Sequence, residues 1–373
     1  MNKGANNIAF ALGGLAGNNA HGAGFLEAAL KKNVEPTMIS FTSGQILWVA
    51  RYLACRKPGA PGLRAWLAKD IEELRAFHSP DLDLAKLCFW GKPGVFRPAG
   101  TGYVADAWRN ATVSLRHLLL DRRDQFVARR LLEVWPCRLL VPDFPDSFFD
   151  QISESFNEED KIGLVFNSYN PHDGCEPVYL NDRARRLLGQ KSGNPRQYKA
   201  GATSSYRKRT VYEAISPEAV RDALWLYQYG FDGESGDFLD GAYFRQIMLS
   251  ELTHADTIYV VRPLFYHWSG DLPQNWPEME DLKTKVSFNG CYAGERHQIE
   301  LVNKFLKADA FKHGPDGKSK YHHIHLEEIE MKRARGFFGY VFEDLTVFDE
   351  SYEMAMKRLK GATKIEAEVA AAP

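Results

Sequence analysis

Three short stretches carry residues that could do chemistry together. In "ISFTSGQIL" (39–47), Ser43 follows the apolar run Met38–Phe41 and precedes helix-forming residues from Gln45 onward. A small hydroxyl residue on a sharp strand-to-helix turn is where a nucleophile elbow sits, and the helix N-terminus favours negative charge developing there. To attack a carbonyl, the hydroxyl must lose its proton, so it needs a base and donors for the resulting oxyanion. Upstream, "GGLAGNN" (13–19) places consecutive glycines after a strand, where backbone N–H groups can point into one concavity. Downstream, "FLDGAYF" (238–244) holds Asp240 on an Asp-Gly turn at the end of an apolar strand. Each stretch has an ordinary alternative: an N-cap serine, a tight turn, a turn-forming aspartate. No histidine lies in a matching context, so the combination points to a Ser–Asp dyad rather than a Ser–His–Asp triad. The glycine loop lacks the Gly-Lys-Ser/Thr of a phosphate loop and fits the dinucleotide fingerprint poorly.

The elements that must position these residues follow from apolar periodicity. Ile8–Leu12 is a short strand, 13–24 a glycine-rich loop, and 25–32 a helix with Phe25, Leu26, Ala29 and Leu30 on one face. Asn33 suits its C-cap, and Pro36 prevents continuation. A second strand over "TMISFT" and a second helix over 44–55 complete a series that implies a parallel sheet with right-handed crossovers. Glycine- and proline-rich breaks set off 57–155, whose helical patches read as an insertion or lid over one sheet edge. Strands follow over 161–169 and 176–180, the latter a hairpin neighbour across "NPHDG". Residues 186–210 read as a basic, polar surface loop able to meet lipid headgroups. Ser216 and Pro217 open a helix over 216–227. Then come strands over 236–244 and 255–264, a long helix over 290–310, a strand at "YHHIHLEEIEMK", a closing helix from "SYEMAMKRLK", and a frayed tail of about ten residues. Alternation in that last strand puts His323 and His325 on one face, but packing or solvation suits them better than a metal.

Bulk composition excludes several classes. The 373 residues carry 45% hydrophobic and 25% charged side chains with a net charge of −1, as a soluble globular protein does, and no basic excess calls for nucleic acid. Five scattered cysteines without a CxxC pair read as reduced thiols in a cytoplasmic protein. The opening apolar run is too short and glycine-broken for a signal peptide, and no run of 18 apolar residues predicts a spanning helix.

The combination resembles the patatin-like phospholipases. Against that family's Ala-Leu-Gly-Gly-Gly-Gly-x-Arg-Gly loop, "ALGGLAGNNAHGAGFL" (11–26) aligns without a gap: Ala11, Leu12, Gly13, Gly14, Gly24 and Leu26 match, while Leu15, Ala16 and Asn18 depart. The Gly-Thr-Ser-Ala-Gly-Ala-Leu elbow aligns with 41–47, where Thr42, Ser43 and Leu47 match but Phe41 and Gln45 replace both glycines. The family's Asp-Gly-Gly/Ala falls on Asp240-Gly241-Ala242, and the likeness extends over most of 8–50 and 160–264. It implies an α/β fold: a three-layer α/β/α patatin-like sandwich with a mostly parallel central sheet and a helical insertion. The catalytic domain would span 1–310, with 311–373 packed on it as an extension. It implies a serine acyl hydrolase of lipid esters with Ser43 as nucleophile and Asp240 as base. Its oxyanion hole would be built from the N–H groups of Gly13, Gly14, Leu15 and Gly44. No metal or organic cofactor is called for, and the partners are a lipid or ester substrate and a membrane surface touched peripherally. The same dyad could serve an acyltransferase, and the lost glycines would suit a degenerate member that binds a lipid or partner without turnover.

Overall fold

The computed structural model describes residues 7–15, 19–77, 96–98, 101–120, 134, 140–142, 145–172, 174–190, 210–229, 231, 238–268, 271–310, 321–331 and 345–359. Its centre is a mostly parallel sheet in the order β10-β9-β1-β2-β5-β6-β7. The strands are β1 (Ile8–Leu12), β2 (Met38–Phe41), β5 (Gly163–Tyr169), β6 (Glu176–Leu180), β7 (Thr210–Ala214), β9 (Thr257–Arg262) and β10 (His325–Glu330). Only β5 and β6 run antiparallel along this path, as a hairpin must. The two-residue β8 (Leu239–Asp240) pairs with Ser168 and Tyr169 of β5. Pairing of β2 with β5 stops earlier, at Val165. A separate ribbon joins β3 (Phe96–Pro98) to β4 (Leu140–Pro142).

Period-two alternation divides the core between the two faces of the sheet. Phe10, Leu12, Ile39, Phe41, Leu164, Phe166, Tyr259 and Val261 point to one face. Ala9, Ala11, Met38, Val165, Ile258 and Val260 point to the other. Because both faces are buried, the strands read as continuous apolar runs. The first face is covered by α1 (Ala20–Lys32), α2 (Gln45–Cys55), α3 (Leu63–Phe77), α5 (Asp146–Glu158), α7 (Pro217–Ala223) and α10 (Leu345–Arg358). The second meets α6 (Asp182–Leu187) and α9 (Trp276–Lys307). The remaining helices are α4 (Thr101–Leu120) and the single turn α8 (Ala242–Arg245).

The predicted caps form: Asn33 adopts the left-handed conformation after α1, and the Ser216 hydroxyl accepts from the Ala219 N–H to open α7. Several boundaries differ from the sequence reading. Among the described residues, the strand expected over 236–244 is only Leu239–Asp240, and a helical turn over Ala242–Arg245 follows it. Helix α1 starts at Ala20, five residues early, because Gly22 and Gly24 are close-approach positions rather than loop residues. The two ends of 57–155 do not lie over an edge: Leu63, Leu67, Phe149 and Ile152 are core residues. Helix α9 begins at Trp276, where the Asn275 side chain accepts from the Glu278 N–H. Most of the basic stretch 186–210 and the tail from 360 lie outside the described residues. The C-terminal elements join the same body, with β10 pairing β9 and α10 lying on α1, where the Ser351 hydroxyl donates to the His21 carbonyl at 2.6 Å. Among the described residues, no helix is long and apolar enough to cross a membrane.

Candidate active site

The three stretches meet at the carboxyl ends of β1, β2 and β5, the edge where open parallel sheets hold ligands. The chain leaves β2 through Thr42 and turns at Ser43 into α2. Ser43 has φ of 55°, one of three non-glycine residues with positive φ among the described residues. That conformation costs a residue with a Cβ about 1 kcal/mol or more and is concentrated at functional turns. The turn is held by the Gln45 and Ile46 N–H groups, which donate to the Thr42 and Ser43 carbonyls at 3.2 and 3.0 Å.

Asp240 reaches Ser43 from β8, and the Ser43 hydroxyl donates a hydrogen bond to its carboxylate. Ser43 is 4% exposed and Asp240 1%. Burial pushes the Asp240 carboxyl up to about 7, against the opposing pull of the bonds from Ser43 and from the Ala242 N–H at 2.8 Å. A carboxylate at that value is a competent base at neutral pH. Around it stands an aromatic wall, with Trp225 against Tyr229 at 5.2 Å and Tyr227 against Tyr243 at 5.0 Å. The Tyr229 and Tyr243 phenols are both raised, by burial first and then by the Asp240 charge.

Both missing elbow glycines have a physical replacement. Phe41 directs its ring away from the turn into the core, 5.4 Å from Phe156 and 5.5 Å from Phe166. Gln45 lies over Gly22, where any Cβ would collide with its amide. The glycine that lets two helices approach is therefore on α1 instead of in the elbow. The Gln45 amide nitrogen is 3.0 Å from His21 Nε2, which in turn is 2.7 Å from the Gly13 carbonyl oxygen. Burial drops the His21 pKa to about 4, so this imidazole is neutral at physiological pH.

The glycine loop departs from the expected anion cradle. The Gly13 N–H donates to the Val261 carbonyl at 3.1 Å, the Gly14 N–H to Thr42 Oγ1 at 2.8 Å, and the Leu15 N–H to Asn19 Oδ1 at 2.9 Å. Three of the four expected oxyanion donors thus already have internal partners, because the loop is knitted to β9, to the elbow and to itself. Residues 16–18 lie outside the described residues. The Gly44 N–H, at the start of α2, donates to no described residue and remains available. Gly14 is needed for clearance: a Cβ there would collide with the Thr42 carbonyl oxygen and fall 2.5 Å from Ser43 Cβ. Gly14 is held at both its N–H and its carbonyl, since Thr42 Oγ1 also donates to the Gln246 carbonyl at 2.8 Å and Gln246 Nε2 donates to the Gly14 carbonyl at 2.7 Å.

Thr42, Gln45, His21, Gln246, Asn167 and Arg245 were not picked out as site residues by sequence reasoning. Only Thr42 and Gln45 stood in motif positions that could have signalled them. Among the described residues, no group of three or more His, Cys, Asp or Glu is arranged to hold a metal ion. No protein-family model matches this chain, and no curated protein matches it.

Proposed function

We propose that this protein is a patatin-like serine acyl hydrolase of lipid esters. Ser43 attacks the ester carbonyl while Asp240 takes its proton, an acyl-enzyme forms with loss of the alcohol, and water releases the acid. The observation that carries this reading is a serine at φ 55° on a strand-to-helix turn, hydrogen-bonded to a buried carboxylate raised to about 7. The aromatic wall of Trp225, Tyr227, Tyr229 and Tyr243 supports an apolar acyl group next to the dyad. The Gly44 N–H and the α2 N-terminus are the donors suited to the oxyanion.

One observation favours a second reading, a member that binds a lipid or partner without turnover: the Gly13, Gly14 and Leu15 N–H groups are already bonded internally. Removing a single oxyanion donor costs on the order of 10²–10³ in rate, so a loop locked this way would leave Ser43 inert. A fluorophosphonate probe and p-nitrophenyl esters of several chain lengths separate the two. Hydrolysis, with labelling of Ser43 that disappears in Ser43→Ala and Asp240→Asn, is the expected result. Turnover retained by either folded variant would sink the dyad, and an unlabelled wild-type protein would favour the binding reading.

A further inference from the structure

Arg245 lies in the single turn of α8, five residues beyond Asp240, and is 8% exposed. Its guanidinium reaches three carboxylates on three separate elements. Nε donates to Glu176 Oε1 of β6 at 2.8 Å. The two terminal nitrogens donate to Glu251 at 2.9 and 2.8 Å, and one of them also to Glu295 of α9 at 2.8 Å and to Ser250 Oγ at 2.6 Å. Glu176 and Glu251 are themselves buried, so the cluster is interior rather than a surface ion pair. Asn167 of β5 ties it to the Asp-Gly turn: its Nδ2 donates to Glu176 Oε1 at 2.7 Å and to the Gly241 and Arg245 carbonyls at 3.4 Å each. Gly241 lies against Asn167 so closely that any Cβ would collide with its side-chain oxygen.

A two-residue strand and a single helical turn cannot hold a carboxylate in place by their own hydrogen bonds. Something must fix their far end. We infer that Arg245 is the positioning residue for the proposed base: its fork, gripping Glu176, Glu251 and Glu295, anchors α8 and so holds the Asp240–Gly241 turn against Ser43. This inference rests on the dyad reading. A lysine keeps the charge but not the planar five-donor fork, so it cannot hold three carboxylates on different elements at once.

The test compares Arg245→Lys and the milder Glu295→Gln with wild-type protein. The readouts are thermal melting, amide exchange at Ala242, whose N–H bonds to Asp240, and the second-order rate of fluorophosphonate labelling at Ser43 across pH. The expected result is folded variants with faster Ala242 exchange and labelling slowed at least tenfold in Arg245→Lys and about threefold in Glu295→Gln. The pH midpoint of labelling should not move, because burial and not Arg245 sets the proton affinity of Asp240. Labelling at the wild-type rate per folded molecule would assign Arg245 to stability alone and overturn the inference. If Arg245→Lys does not fold, Glu295→Gln decides by the same criteria. Failure of the wild-type protein to label would defeat the dyad reading, whereas unchanged Ala242 exchange in the variants would defeat the anchoring itself.

Discussion

Replacing Asp240 by asparagine should abolish reactivity at Ser43 while making the fold more stable at alkaline pH. The carboxyl moves from its ordinary 3.8 to about 7 because it is buried. At about 1.4 kcal/mol for each tenfold change in the proton equilibrium, keeping it ionised in the folded state costs about 4 kcal/mol. The sign follows from linkage. Between pH 4 and pH 7 the unfolded chain has lost this proton and the folded chain retains it, so stability falls as pH rises through that window. The contribution is fully present below pH 4 and gone above pH 7. Asparagine keeps the oxygen that accepts from the Ala242 N–H at 2.8 Å and has no proton to lose. The stability of Asp240→Asn relative to wild type should therefore climb by about 1.4 kcal/mol per pH unit from pH 4 to 7 and then level off. Urea unfolding of both proteins at pH 4.5, 6 and 8 measures it. A difference that does not change with pH would refute the reasoning, since it would mean that Asp240 is not held in a desolvated site.

Other consequences are equally direct. Fluorophosphonate labelling and ester hydrolysis should fall on the acid side with a midpoint at about pH 7, where Asp240 takes up its proton; a pH-rate profile that stays flat down to pH 5 would exclude Asp240 as the base. Gly14→Ala should destabilise by about 1–3 kcal/mol, because its Cβ falls 2.5 Å from Ser43 Cβ, and melting with labelling reports both the strain and the displaced elbow. Gly22→Ala should destabilise by a similar ~1–3 kcal/mol through collision with Gln45, and the second change Gln45→Gly should restore most of that loss, a coupling that a double-mutant cycle reads. Phe41→Ala empties a fully buried site between Phe156 and Phe166 and should cost about 3–5 kcal/mol in denaturant unfolding.

The continuous apolar runs at Ile8–Leu12, Met38–Phe41 and Thr257–Arg262 were enough to place the parallel strands, because strands buried on both faces must be apolar on both. Ser43 and Asp240 were legible as a pair for a local reason, since both stand on turns that end strands. The start of α1 was not legible: Gly22 and Gly24 lower helix propensity by about 1 kcal/mol each, and nothing nearby in the chain announces that Gln45 and the Phe348 backbone require them to lack side chains. The direction of backbone N–H groups was equally out of reach. Gly14 donates to Thr42 and not into an anion site, and Gln246, 232 residues away, holds its carbonyl on the next peptide. Nothing in the sequence around Arg245 singles it out, and only the packing of β6, α9 and the 250–252 turn brings three carboxylates to it. Sequence by itself determined which residue types stand at the carboxyl ends of the strands, because periodicity and turn chemistry act over a few residues. Tertiary structure decided which donors remain free, where Phe41 and Gln45 find room, and what holds Asp240, because each depends on partners that sequence separation hides.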